Sequence, residues 1–242
     1  MSTLLKVENV SSGYGRVLAV KDLSLNAAAG EVVSILGRNG AGKTTTLLSI
    51  SGLVKPRSGQ VSVDGTPLRP GRPHVASKAG LIQVPEDRAL FTGLTVRENL
   101  AAAGARRKAD LKAVTDLFPE LEPLIGRRAG LLSGGEQQML ALARAIALRP
   151  KVLLVDEMSL GLAPLVCKRL SSVIRELADE SGVAVLLVEQ HLSLALEVAD
   201  RGIVLHKGSV AMEGTREELT AKRHQIESSY MGGASAAEDP AA

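Results

Sequence analysis

The sequence predicts an α/β fold built on a mostly parallel, buried sheet, and three stretches carry that prediction. VVSIL (32–36) is a continuous apolar run that leads through glycines into a helical TTTLLSISG. VLLVDE (152–157) and VAVLLVEQH (183–191) flank a helical stretch from about Leu165 to Asp179. Unbroken apolar runs separated by helices are the pattern of parallel strands covered on both faces. With 242 residues and 45% hydrophobic content, the chain can bury a full core.

Each element follows from local signals. Residues 4–26 read as short strands, LLKVENV and VLAVKDLSL, separated by a turn at Ser12-Gly13-Tyr14-Gly15. The helix after VVSIL is closed by Gly52, and QVSVDG (60–65) and GLIQV (80–84) are further strands. Between 95 and 149 the pattern is helical. Thr95 with Glu98, and Ser133 with Glu136, match the capping box, in which side chain and backbone satisfy each other's unpaired groups. Pro119 and Pro150 end the helices before them. RGIVLHKGSVAMEG (201–214) predicts a hairpin turning at Lys207-Gly208, and the small, polar tail, 231–242, predicts disorder.

Composition narrows the function. The net charge of +3 is small and the basic residues are scattered, so no nucleic-acid partner is expected. A single cysteine, Cys167, excludes an internal disulfide framework and a Cys-rich metal site and fits a reducing compartment. No uncharged apolar stretch reaches the roughly 18 residues of a membrane span, and MSTLLKVENV has no apolar signal segment. Work at a membrane would therefore need other chains to cross it.

GRNGAGKT, residues 37–44, fits the phosphate-loop pattern G-x-x-x-x-G-K-[ST], and it lies between a buried strand and a helix, where that pattern has meaning. Gly37, Gly40 and Gly42 let backbone amides converge on phosphate oxygens, and the following helix N-terminus adds a positive dipole. Lys43 would neutralise the outer phosphates of ATP and Thr44 would ligand Mg²⁺. VLLVDE brings Asp156 to the carboxyl edge of the sheet, where it can hold Mg²⁺, while Glu157 can orient or deprotonate a water aimed at the terminal phosphate. LLSGGEQQML (131–140) makes Ser133 an N-cap, with Gly134 and Gly135 as the first helical positions. Each glycine costs a helix about 1 kcal/mol against alanine, so the pair points to close backbone approach by an anion.

LSGGEQQ, with GRNGAGKT before it, VLLVDE after it and His191 after a further strand, resembles the ATP-binding cassette ATPases over residues 4 to about 220. The resemblance implies a P-loop NTPase core with a mostly parallel sheet, an N-terminal antiparallel β-subdomain and an inserted helical subdomain over about 90–145. Residues 1–230 would form one such domain. It also implies that Ser133, Gly134, Gly135 and Glu136 bind the γ-phosphate of ATP held by the phosphate loop of a second cassette. That loop comprises Gly37, Arg38, Asn39, Gly40, Ala41, Gly42, Lys43, Thr44 and Thr45. Tyr14 falls where an aromatic ring stacks on adenine, and His191 matches the switch histidine that contacts the γ-phosphate.

Two stretches depart from the family pattern. Glu86, in VPEDR, stands where most cassettes carry a glutamine, and it can still ligand Mg²⁺ or water. Gln83 lies three residues earlier, within the strand, and does not inherit that role. DEMSLGLAP replaces the commoner DEPTSALDP and puts Met158 at the proline and Ala163 at the aspartate. VPEDRALFTGLTVRENL, LSGGEQQMLALARAIAL and DEMSLGLAP together resemble the shorter ATPase subunit of branched-chain amino acid importers, and related importers for amides and urea share them. The implied partners are membrane-spanning permease subunits docked on the helical segment, a second cassette and, indirectly, a solute-binding protein. The implied location is the cytoplasmic face of the cell membrane. A soluble cassette ATPase and a non-catalytic nucleotide-binding module are the alternatives.

Overall fold

The computed structural model describes residues 2–104 and 108–231. β1 (Thr3–Tyr14) and β2 (Val17–Ala28) open the chain as a long antiparallel pair. β3 (Val32–Leu36) leads into α1 (Lys43–Ile50), and β4 (Ser58–Val63) and β5 (Thr66–Pro67) return to the first sheet, whose order is β2-β1-β4-β5. After the short α2 (Pro73–Lys78) and β6 (Leu81–Val84) comes the helical passage of α3 (Val96–Ala102), α4 (Lys108–Leu117) and α5 (Gly134–Ala147). β7 (Val152–Asp156), α6 (Pro164–Ser181), β8 (Ala184–Glu189) and α7 (Leu192–Val198) then alternate. The described chain closes with β9 (Arg201–His206), β10 (Ser209–Thr215), α8 (Arg216–Ala221) and α9 (Arg223–Met231). Apart from Met231, the tail expected to be disordered lies outside the described residues.

The second sheet runs β10-β9-β3-β8-β7-β6 and is parallel except for β10. The expected parallel core is therefore present, with every residue of β3, β7 and β8 buried. One hydrophobic core joins this sheet to α5 and α6 through residues such as Leu140, Leu153, Ile174 and Val185. Another packs its opposite face against β1, β2, β4 and α1 through Leu5, Val20, Ile35 and Leu47. Both expected capping boxes form, at Thr95–Glu98 and Ser133–Glu136, and each satisfies two otherwise unpaired amides.

The expected turn at Ser12–Gly15 is corrected. Ser12, Gly13 and Tyr14 stay in β1, paired with Val20, Leu18 and Val17, and the chain reverses at Gly15-Arg16. Gly13 serves close strand approach, since a Cβ there would lie 2.0 Å from the Val17 carbonyl oxygen. The helix at 73–78 goes beyond the elements expected from the sequence; Pro73 in its first turn is the local signal for α2.

Candidate nucleotide site

Three parallel neighbours, β3, β7 and β8, end at the same edge, because Leu36 pairs with Glu189 and Asp156 with Val188. Whatever follows those strands is forced together there. After β3 comes the phosphate loop, after β7 comes Glu157, and after β8 comes Gln190. These groups line a cleft of about 410 Å³ whose walls include Asn39, Lys43, Thr44, Glu86, Glu157 and Gln190.

The loop's glycines divide into two kinds. Gly40 has φ +80° and open space around it, whereas a Cβ on Gly42 would lie 2.3 Å from the Ala19 carbonyl oxygen and one on Gly37 2.7 Å from that of Leu205. Gly37 and Gly42 therefore seat the loop against β2 and β9, and Gly40 faces the open side. The Lys207-Gly208 turn completes the seat, since the Gly208 amide donates to Ala41 and the Gly208 carbonyl accepts from Lys21. At the N-terminus of α1 the left-handed Gly42 provides no side-chain cap, so the first helical amides stay available to an anion. Arg38 and Asn39 are exposed, while Ala41, Lys43 and Thr45 are buried and Thr44 is half-buried.

Lys43 is folded inward. Its Nζ donates to the Arg38 carbonyl at 3.3 Å and pairs with Glu157 Oε1 at 3.3 Å. Glu157 departs from β7 with φ +45°, a left-handed backbone that is strained for a side chain of this size, and its amide is tied to the Val188 carbonyl. That turn carries the carboxylate into the cleft, where Oε2 accepts from Gln190 Nε2 at 2.6 Å. Asp156 is 1% exposed and accepts from Thr44 Oγ1 at 3.4 Å. Burial raises its carboxyl to about 6; the Glu157 and Glu86 charges add to the rise, while Thr44 and Lys43 oppose it.

The donors offered to a metal are all hard oxygens, namely the Thr44 hydroxyl and the Asp156 and Glu86 carboxylates. That set suits Mg²⁺ held jointly with phosphate and water better than an all-protein cage, and among the described residues no cluster of metal-ligating side chains stands alone. In the adjoining cleft, lined by Thr44, Glu86 and Asp156, both polar atoms of the Gln83 amide are buried without a hydrogen-bond partner.

His191 is not brought into this group. It is exposed and serves as the N-cap of α7, so its backbone already belongs to the next element and Gln190 occupies the place beside Glu157. Tyr14 stands 55% exposed at the end of the β1–β2 hairpin, open to a flat ligand. At the start of α5, Ser133 Oγ accepts from the Glu136 amide at 3.3 Å and Glu136 Oε2 from the Ser133 amide at 2.7 Å, so both side chains are used within the cap. Gly134 and Gly135 keep ordinary helical backbones beside them. Met158 fills the core rather than the cleft, and Ala163 caps α6 with no side-chain hydrogen bond.

Sequence reading missed the residues that join the Glu86 loop to α5. Arg88 donates to Gln138 at 3.0 Å and to Gln137 at 2.8 Å, and Arg144 donates to the Ala89 carbonyl at 2.6 Å while lying over the Phe91 ring. Asn99, fully buried, holds Phe91, Leu94 and Thr95 through their backbones. A polar Asn inside the apolar stripe of VRENL was the available signal.

A glycine loop on an uncapped helix start, faced by a strand-end aspartate and glutamate at the edge of a parallel sheet, defines a P-loop nucleotide hydrolase. The chain matches the ABC transporter family over residues 20–159 and belongs to it. It is a nucleotide-binding, ATP-hydrolysing cassette of that family. It is 40% identical to the high-affinity branched-chain amino acid transport ATP-binding protein BraG of Pseudomonas aeruginosa, over 95% of this chain and 100% of that one. It is 37% identical to the probable branched-chain amino acid transport ATP-binding protein LivF of Archaeoglobus fulgidus, over 89% and 94%. The dimeric post-hydrolysis structure of the cassette MJ0796, bound to ADP and Pi, superposes with a TM-score of 0.78 at 28% identity, over 88% and 99% of the two chains. No helix among the described residues is long and apolar enough to cross a membrane.

Proposed function

We propose that this cassette powers an importer of branched-chain amino acids at the cytoplasmic face of the cell membrane, paired with a second cassette and docked on permease subunits. The observation that carries the chemistry is the Glu157 carboxylate, turned into the phosphate-loop cleft between Lys43 and Gln190. The likeness to BraG, over 95% of this chain and 100% of that one, supports the solute class.

Phosphates of ATP sit on the amides at the start of α1, and Lys43 swings from Glu157 to meet them. Thr44 and Asp156, with Glu86 beside them, would hold Mg²⁺, which supplies charge neutralisation at the β- and γ-phosphates. Released from Lys43, Glu157 Oε1 accepts a proton from the attacking water. Tyr14 stacks on adenine, and the Ser133–Gly135 turn closes on the partner's nucleotide. Closure does work because ATP binds the closed pair better than the open one. The helical segment, about 90–130, carries the permease contact, with Glu86–Phe91 coupling it to the nucleotide.

Glu157→Gln is expected to bind ATP, to hydrolyse it slower by orders of magnitude and to accumulate closed dimers in size-exclusion chromatography. Wild-type turnover in that variant would remove Glu157 from its role. Mass spectrometry of what copurifies with the tagged chain from gently solubilised membranes tests the assembly. Permease subunits with a second cassette support it, and ribosomal or DNA-bound partners refute it.

A further inference from the structure

Glu157 is held by two donors, Lys43 and Gln190, and they are not equivalent. Lys43 Nζ reaches Oε1 at 3.3 Å, but Lys43 also belongs to the phosphate loop and is claimed by phosphate once nucleotide arrives. Gln190 Nε2 reaches Oε2 at 2.6 Å from the first residue beyond β8. That strand is fixed on both sides, by β3 and by β7, so Gln190 is presented from a rigid edge. The Glu157 backbone is bound to the same strand through the Val188 carbonyl. Main chain and carboxylate of Glu157 are thus both anchored to β8, and only the second anchor is a side chain.

We propose that Gln190 is the positioning residue of hydrolysis: its amide fixes Glu157 through Oε2, leaving Oε1 to face the attacking water, and the neighbouring His191 takes no part. The inference rests on Glu157 acting as the base.

The test compares full-length Q190A, Q190H, Q190E, H191A and E157Q by steady-state ATP hydrolysis and thermal unfolding. Q190A is expected to lower kcat about tenfold or more, the scale of a misplaced general base, with KM for ATP changed less than about threefold. Q190H, which still donates a hydrogen bond, recovers part of kcat. Q190E, which sets a second carboxylate against Glu157, does not. H191A stays within about twofold of wild type, as an exposed residue outside the cleft should. Wild-type kcat in Q190A, or an equal loss in H191A, overturns the proposal. If Q190A melts lower, the contrast between Q190H and Q190E decides. Fast hydrolysis by E157Q overturns both this inference and the reading beneath it, whereas slow E157Q with fast Q190A overturns this one alone.

Discussion

Gly134→Ala separates the folding role of the Ser-Gly-Gly turn from its binding role. A Cβ on Gly134 would have the Arg88 guanidinium and a Leu162 methyl at 3.6 Å, ordinary van der Waals contact, and its backbone is already helical. Alanine in place of glycine is worth up to about 1 kcal/mol in a helix interior and roughly half that in a first turn. For a chain of this size the melting temperature should rise by about 1–2 °C. The same methyl points back toward the helix N-terminus, where an anion would meet the amides. Losing one charge-assisted hydrogen bond of about 1.5–3 kcal/mol lowers ATP-driven dimerisation by roughly 10- to 150-fold. Differential scanning fluorimetry of the free subunit and size-exclusion chromatography in the Glu157→Gln background measure the two halves. Undiminished dimerisation would refute the anion-binding role. A variant that loses stability in step with dimerisation would show that the glycine is structural. Gly135→Ala is the contrasting control: its Cβ would press on both Val166 methyls at 3.1 Å, so no gain in stability is expected.

Asp156, raised to about 6 by burial, makes proton and metal competitors. Below that pH the apparent Mg²⁺ affinity should fall about tenfold per unit, and above it level off; nucleotide titrations at fixed free Mg²⁺ would read this, and a flat profile would contradict it. Glu189 is buried against the Ser159 amide and hydroxyl, and burial raises its carboxyl above the usual 4.5. The folded chain then holds the extra proton between 4.5 and the raised value, so the Glu189 contribution to stability falls as pH rises through that window and stays low above it. Glu189→Gln, which keeps both Ser159 contacts if the hydroxyl turns, should melt higher than wild type near neutral pH and match it in acid. Equal melting at all pH values would count against the buried charge. In the phosphate loop, Gly42→Ala should fail to fold, its Cβ being 2.3 Å from a carbonyl oxygen, whereas Gly40→Ala at φ +80° should fold at a cost of about 1–2 kcal/mol. Soluble expression and denaturant midpoints would distinguish them, and a well-folded Gly42→Ala would void the packing argument.

What the sequence disclosed depended on whether a signal was local. The apolar runs at 32–36 and 152–156 and both capping boxes are written in contiguous residues, and they appear where expected. The phosphate loop was equally plain, but the reason for its glycines was not. Gly37 and Gly42 yield to carbonyls of Leu205 and Ala19, which are distant in sequence. The Ser12–Gly15 stretch has turn composition, yet long-range pairing to β2 keeps most of it in strand. Arg88 and Arg144 were invisible because their partners, Gln138 and Ala89, lie about fifty residues away.

The histidine illustrates a sharper limit. At the end of a buried strand, one residue decides which way a side chain points, because successive side chains alternate sides and the next element begins immediately. EQH offers three polar residues in a row, and the family resemblance points to the imidazole. Register decides otherwise: Leu36 opposite Glu189 fixes where β8 stops, Gln190 is then the residue beside Glu157, and His191 begins α7. The chemistry of the site therefore follows from the pairing of β3 with β8, a contact between segments about 150 residues apart. An inserted residue between Glu189 and Gln190 should move the amide away from Glu157 while leaving the phosphate loop intact, so nucleotide binding would persist as hydrolysis fell. Loss of both together would mean that β8 positions the loop as well as the base.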